Sequence, residues 1–276
     1  MPRAGGPHQT SRSPVQSPSA PDRPGQNDPV ITERHAPDLP GRAVIAQRWN
    51  RAVFAHWRVD PGHVAPLLPP GTRPDVHDGS AWVGLVPFVL SEFRFLPLPP
   101  VPFVGSFTEI NVRTYAVDDD GRRGVVFRTL EAEHLAPVLA AHALFGLPYR
   151  WARAGVRTEG QRIEYRSRRH GGTRAGTRLR ATLGTETVDT SLSRFLTARW
   201  GFHERHLGRT IWAANSHEPW PLVAADIDVL DDDLLDDAGF PGLAGRTPDS
   251  VLAMPAGHPG FITRFSAARG IHPPVR

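Results

Sequence analysis

Polar side chains recur at every second position between residues 107 and 115 of this sequence. They are Glu109, Asn111, Arg113 and Tyr115, and residues such as Ile110 separate them. Because alternate residues of a β-strand lie on one face, the spacing predicts a strand that carries a carboxylate, an amide, a guanidinium and a phenol in one row. Such a row either lines a chemical pocket or forms the wet outer face of a sheet.

The pattern itself leaves both interpretations open. Antiparallel sheets commonly expose one polar face to water. However, Phe107 and Tyr115 flank the polar residues, and large aromatic side chains are less expected on a wet face. At strand rise, Glu109 and Arg113 lie about 13 Å apart, which suits two groups that hold one small molecule from different ends.

Two histidines are further candidates. His56 in "FAHW" and His217 in "SHEPWP" have aromatic neighbours, and each is either a buried core residue or a base at a pocket.

The sequence has 13 histidines but no HExxH motif, so no metal site is predicted. GxSxG, GxGxxG and GxxxxGK motifs are also missing, and we expect no cofactor.

Composition excludes several chemistries. The chain has neither cysteine nor lysine, so a thiolate nucleophile, a lysine Schiff base and a P-loop lysine are all impossible. The net charge is only +4, and the arginines between residues 162 and 180 are interpreted as the outer face of a hairpin rather than a nucleic-acid site. With neither a membrane-spanning apolar run nor a secretory signal, we expect a cytoplasmic protein without membrane contact.

The chain divides by composition into three parts. Residues 1–41 are rich in proline and predict a disordered tail. Residues 42–268 predict a single, mainly β domain with two or three short helices, the clearest over residues 137–145, and residues 269–276 predict a flexible C-terminus.

Five ordered motifs carry a resemblance to a known family. "AWVGLVPF", "FTEINVRTY", "LPY", "FLTARW" and "HEPWPL" resemble the YqjF-like proteins, or DUF2071 family, over residues 43–265. The resemblance implies membership of the acetoacetate decarboxylase-like superfamily. Its fold is a curved, mainly antiparallel β-cone or barrel with a few short helices around an internal pocket.

Acetoacetate decarboxylase carries a pocket glutamate and, after a helix, a Gly-x-Pro segment followed by two lysines, of which the first forms a Schiff base. In this sequence Glu109 resembles the glutamate, and "GLPYR" places Tyr149 and Arg150 where the lysines would be. A phenol cannot form an iminium and arginine does not act as an amine nucleophile, so Schiff-base decarboxylation is excluded here.

What the resemblance leaves is a pocket with a carboxylate, a phenol and fixed cations. We expect Glu109 to act as a base, Tyr149 or Tyr115 to donate to a carbonyl oxygen, and Arg113 or Arg150 to hold a carboxylate or enolate.

Asn111, Tyr115, Arg150, His56 and His217 complete the predicted substrate-binding set. The predicted partner is an anionic or carbonyl small molecule, and a homo-oligomer is compatible with the sequence.

Three functions remain open at this point. The first is a cofactor-independent isomerase, dehydratase, cyclase or non-Schiff-base lyase. The second is a non-catalytic protein that binds or senses a ligand in the same pocket, and the third is a structural module.

Overall fold

The computed structural model describes residue 1 and residues 33–102, 105–134 and 145–271. Most of the predicted tail, residues 137–144 of the predicted helix and residues 272–276 lie outside the described residues. The strands are β1 (Ala43–Asn50), β2 (Val53–Val59), β3 (Thr72–Pro74), β4 (Ala81–Phe95), β5 (Phe107–Asp118), β6 (Arg123–Ala132), β7 (Tyr149–Glu159), β8 (Arg162–Arg169), β9 (Gly176–Thr187), β10 (Gly201–His206), β11 (Arg209–Ser216), β12 (Val223–Asp232), β13 (Ser250–Ala253), β14 (Phe261–Ser266) and β15 (Arg269–Gly270).

Short helices connect some of these strands. They are α1 (Pro61–Val64), α2 (Ser191–Thr197) and α3 (Leu234–Asp237), with two 3₁₀ turns at Ala65–Leu67 and Leu243–Gly245. Asp60 caps α1 by accepting the Gly62 amide at 2.6 Å, and Thr190 caps α2 through a reciprocal capping box. The prediction of a mainly β fold with a few short helices is confirmed. Within the described residues, no helix is both long and apolar enough to cross a membrane.

The strands form one sheet whose pairings close two circuits. The first circuit runs β1-β14-β11-β10-β6-β5-β4 and returns to β1. The second runs β6-β7-β8-β9-β12-β13-β2-β4-β5 and returns to β6. Strands β4, β5 and β6 belong to both circuits, so each of them is covered on its two faces.

Strand β5 is therefore buried on both sides, unlike the half-buried strand that its alternation suggests. Ile110 and Val112 point into the second circuit, where they join the core around Trp57, Tyr165 and Leu179. The odd-numbered residues of β5 point into the first circuit. The solvent-exposed interpretation of that row is wrong, because the polar face turns toward an interior space rather than toward water.

The last strand falls within the predicted C-terminal segment. Arg269 and Gly270 form β15, which pairs with Trp212 and Ile211 of β11. Strand pairing thus extends beyond residue 268, the predicted end of the domain.

Candidate active site

Strands of the first circuit line most of a cavity of about 120 Å³. Glu109, Asn111 and Arg113, here called the β5 polar row, line it together with Tyr149 and His217. Strand register explains how the row is presented. Arg113, Asn111 and Glu109 lie opposite Gly84, Val86 and Phe88 of β4, and directly opposed residues share a face.

Glu109 is the member of the row whose pKa its surroundings shift. It is only 3% exposed, and its Oε2 accepts a hydrogen bond from the Tyr149 hydroxyl at 2.7 Å. Its Oε1 lies 3.5 Å from Asn111 Nδ2. Burial raises the pKa of Glu109 from its usual 4.5 to about 7, against the opposing effects of these two hydrogen bonds and of the Arg113 charge. At neutral pH this carboxyl group can therefore either accept or release a proton.

Tyr149 reaches Glu109 because of where β7 begins. The chain turns at Gly146, whose φ is 67°, and Tyr149 then pairs in parallel with Leu130 of β6. Since Leu130 pairs with Asn111, this register sets the phenol beside the β5 polar row. Burial and the neighbouring Glu109 carboxylate raise the pKa of Tyr149 well above its usual value, so the hydroxyl remains a donor.

Arg113 presents a cation without an acidic partner in the described structure. Its Nε donates to the Tyr115 hydroxyl at 3.2 Å and its Nη2 to the Leu196 carbonyl at 3.4 Å, while its guanidinium lies 5.5 Å from the Phe54 ring centroid. Among residues 33–102, 105–134 and 145–271, no ion pair forms with this guanidinium. Its charge is thus available to an anionic ligand, and its two bonds fix its orientation.

Tyr115 and His56 were expected to contact substrate, but they lie behind Arg113 and outside the cavity lining. The Tyr115 hydroxyl donates to the Leu196 carbonyl at 2.9 Å and lies 2.6 Å from His56 Nε2. Because the hydroxyl has one proton, His56 must donate from Nε2. Burial, with the charges of Arg113 and Arg199, lowers the pKa of His56 well below its usual value and keeps it neutral.

Gly84 makes the contact between His56 and Tyr115, behind Arg113, possible. It pairs with both His56 and Arg113, and a Cβ at this position would lie 2.7 Å from His56 Nε2. The bare backbone lets the imidazole cross β4 to reach Tyr115. His56 and Tyr115 consequently position Arg113 and do not touch the cavity.

His217, a predicted substrate-binding residue, lies in the cavity lining. Its Nδ1 donates to the Glu218 carbonyl at 2.6 Å, which leaves Nε2 as the acceptor nitrogen. Trp200 packs 4.7 Å from its ring, and Phe261 stacks on it at 5.2 Å. Burial lowers the pKa of His217 to about 4, so it is neutral at physiological pH and offers an acceptor rather than a charge.

Arg150 does not join the site. It is exposed and does not line the cavity, whereas its neighbour Tyr149 does. Alternation along β7 sends these two side chains to opposite faces. Arg150 lies instead close enough to Asp237 to help lower the pKa of that carboxyl group. The expectation that Arg150 holds a substrate carboxylate is wrong for this reason.

Four further polar residues line the cavity and are not among the predicted site residues. They are Gln47, Thr197, Arg199 and Asn215. Arg199 is 3% exposed, pairs with Asp75 and lies between the rings of Tyr115 and Phe195 at 4.4 and 4.3 Å. The place of Arg199 in "FLTARW", one of the motifs that carry the family resemblance, could have indicated a site residue. Gln47 and Asn215 are single amides in β-rich segments, so the sequence offers no indication that they line a cavity.

No metal site is evident in the described part of the chain. There, no three acidic or histidine side chains converge in an arrangement that could hold an ion. Among the described residues, the lining offers one carboxylate, two guanidinium groups of which Arg199 is paired, three hydroxyl or imidazole groups and three amides. That set can bind a carbonyl or carboxylate compound and move a proton.

Comparison with known proteins gives the family. Residues 46–257 match the sequence profile of DUF2071, described as an uncharacterized conserved protein. The chain is 32% identical over 189 residues to the uncharacterized protein YqjF of Bacillus subtilis strain 168, an alignment that covers 67% of this chain and 78% of YqjF.

Solved structures share the fold at low sequence identity. An acetoacetate decarboxylase-like enzyme from Sphingomonas wittichii RW1 aligns with a TM-score of 0.58 and 14% identity, covering 84% of this chain and 95% of that one. The enduracididine biosynthesis enzyme MppR, complexed with pyruvate, aligns with a TM-score of 0.56 and 15% identity, covering 85% and 93%. The acetoacetate decarboxylase-like fold is thereby established, and enzymes that act on small molecules use it.

Proposed function

We propose that this chain, which belongs to the DUF2071 family, is a cofactor-independent enzyme that uses acid–base chemistry on a small carbonyl or carboxylate compound. The reaction class is isomerisation, dehydration, cyclisation or a decarboxylation that needs no iminium. One observation carries the proposal. Glu109, with a pKa of about 7, shares the cavity with Arg113, a guanidinium that makes no ion pair within the described residues.

The division of labour follows from the chemistry of each group. Glu109 takes a proton from the carbon next to a carbonyl, and about half of it is ionised near pH 7. Arg113 holds the carboxylate or the enolate oxygen, whose charge grows as the proton leaves. Tyr149 donates to Glu109, so it orients the carboxylate and stabilises its ionised form.

The chain's composition shapes which mechanism is available. With no lysine, the amine route to an iminium is closed. Carbanion character must then be stabilised by hydrogen bonds and charge alone, which Arg113 and the amide of Asn111 can supply. The pyruvate complex of MppR supports a 2-oxo acid as the first probe for this cavity.

Proton exchange tests the proposal without knowledge of the natural substrate. 2-Oxohexanoate in D₂O at neutral pH exchanges its C3 protons, and NMR follows the loss of their signals. We expect the protein to accelerate this exchange and Glu109→Gln to lower the acceleration at least 100-fold, the scale of a general base. Glu109→Gln should bind the same compound within about threefold of the wild type.

Glu204→Gln is the matched control. Glu204 is also buried, with a pKa raised to about 8 by burial, but it accepts the Phe127 amide at 2.9 Å and does not line the cavity. This variant should exchange protons at the wild-type rate. Binding of 2-oxohexanoate without accelerated exchange in the wild type would instead identify a binding or sensing protein.

A further inference from the structure

We infer that the ligand of this cavity carries an apolar body, an alkyl chain or an aromatic ring, beyond its carbonyl or carboxylate head. The inference rests on the proposed function only in placing that head at Arg113. It adds the substrate class, which the acid–base chemistry leaves open.

The first argument is a gradient of polarity along two paired strands. From Arg113 through Asn111 and Glu109 to Phe107, β5 passes from a guanidinium to a phenyl ring, and all four residues line the cavity. On β4, the cavity-lining residues opposite this row are Val86, Phe88 and Leu90. A ligand anchored at Arg113 therefore extends along an apolar wall.

The second argument is the composition of the remaining lining. Nine of the 13 phenylalanines of the chain line this one cavity, with Trp49 and Trp220 beside them. The two indoles stack at 5.7 Å, and Phe54 meets Trp220 edge to face at 4.8 Å. A fully polar ligand would gain nothing from these surfaces, whereas an apolar group transferred from water gains affinity in proportion to the area it buries.

The third argument is size. The cavity volume of about 120 Å³ is about tenfold the roughly 10–15 Å³ that one water needs, so the space is larger than a two-carbon acid such as acetate requires. Hexanoate and 3-phenylpropanoate extend the same carboxylate head with an alkyl chain or a ring, and they are the probes for this extra space.

Simple carboxylates suit the test because they lack the carbonyl group on which the proposed chemistry acts, so any affinity is measured without turnover. Isothermal titration at pH 6, where most of Glu109 is protonated, gives Kd values for acetate, butanoate, hexanoate and 3-phenylpropanoate. Each buried methylene is worth about 0.8 kcal/mol, or about fourfold in Kd. We expect hexanoate to bind about 15-fold more tightly than butanoate, and 3-phenylpropanoate at least as tightly as hexanoate.

Two Phe→Leu substitutions, one in the cavity wall and one in the other core, test where the apolar body of the ligand binds. Phe88→Leu should weaken 3-phenylpropanoate at least fourfold and leave acetate unchanged, since Phe88 lies opposite Glu109 on the cavity wall. Phe240→Leu is the control: Phe240 is equally buried but belongs to the core of the second circuit, and its variant should bind all four carboxylates as the wild type does.

Failure of this inference differs from failure of the proposed function. Equal Kd values along the series, or no measurable binding of any member, would overturn the apolar body. Chain-length dependence that persists while 2-oxohexanoate shows no accelerated exchange would uphold the apolar ligand and refute the catalytic role of Glu109. Arg113→Gln should weaken every carboxylate by a similar factor, which confirms where the head lies.

Discussion

The raised pKa of Glu109 makes a quantitative prediction about folding stability. The folded protein binds this proton more tightly than the unfolded chain does, because burial raises the pKa from 4.5 to about 7. Below pH 4.5 both states are protonated and stability is unaffected. As the pH rises from 4.5 through 7, the unfolded chain ionises first, so the folded state loses stability. The loss levels off about one pH unit above 7, where the folded carboxyl group is also ionised.

The magnitude follows from the two pKa values. Their difference corresponds to about 3 kcal/mol at high pH, at about 1.4 kcal/mol per pKa unit. Between pH 5 and pH 8 the change amounts to about 2–3 kcal/mol. Glu109→Gln removes the titration and keeps an oxygen that can accept from Tyr149, so the variant should lack this loss.

Urea unfolding followed by tryptophan fluorescence measures the effect, and the chain has seven tryptophans. The free energy of unfolding of Glu109→Gln minus that of the wild type should grow by about 2–3 kcal/mol from pH 5 to pH 8. Asp232 and Glu204, whose pKa values burial raises to about 6 and about 8, titrate in both proteins and cancel in the difference. If the free energies of unfolding of the two proteins changed in parallel with pH, Glu109 would have an ordinary pKa. It would then not be suited to act as a base near neutral pH.

Two further predictions concern His56 and Tyr115, which lie behind Arg113 and outside the cavity lining. Gly84→Ala should cost about 1–3 kcal/mol in urea unfolding, because its Cβ would displace His56, whereas Gly155→Ala on β7, where nothing lies within 4 Å, should cost little. Tyr115→Phe strands a buried His56 N–H and loosens the guanidinium of the β5 polar row, so it should lower stability by about 1–3 kcal/mol and weaken hexanoate several-fold. Tyr165→Phe, which loses a hydroxyl bond to the Arg51 carbonyl in the other core, should lower stability without changing affinity; equal affinity losses in both tyrosine variants would contradict this positioning role.

The alternation of residues along β5 was enough to identify the β5 polar row, but not to show which strands cover it. Alternation on β5 correctly grouped Glu109, Asn111 and Arg113, because strand geometry alone decides which side chains share a face. It could not show that β5 belongs to two circuits, since that depends on pairings between strands far apart in sequence. The odd residues were therefore open to two interpretations until both faces were seen to be covered.

The errors have similar physical origins. Tyr115 lies on the same face of β5 as Arg113, yet it is outside the cavity lining because helix α2, through Phe195 and the Leu196 carbonyl, covers that end of the strand. His56 reaches it only across Gly84, a contact between residues whose pairing the sequence does not reveal. Arg150 is different: the alternation that grouped the β5 residues also separates it from Tyr149, so this error was avoidable.

The proton affinity of Glu109 and the charge of the ligand are linked through Arg113. The Arg113 charge is one of the influences that lower the pKa of Glu109 against the larger effect of burial. A carboxylate bound to that guanidinium offsets its charge and adds a negative charge of its own beside Glu109. Both changes raise the proton affinity of the carboxylate. An anionic substrate thus makes the ionised carboxylate a stronger base, but it also lowers the fraction of Glu109 that is ionised at neutral pH. Proton abstraction from an anionic substrate should therefore become faster as the pH rises above 7.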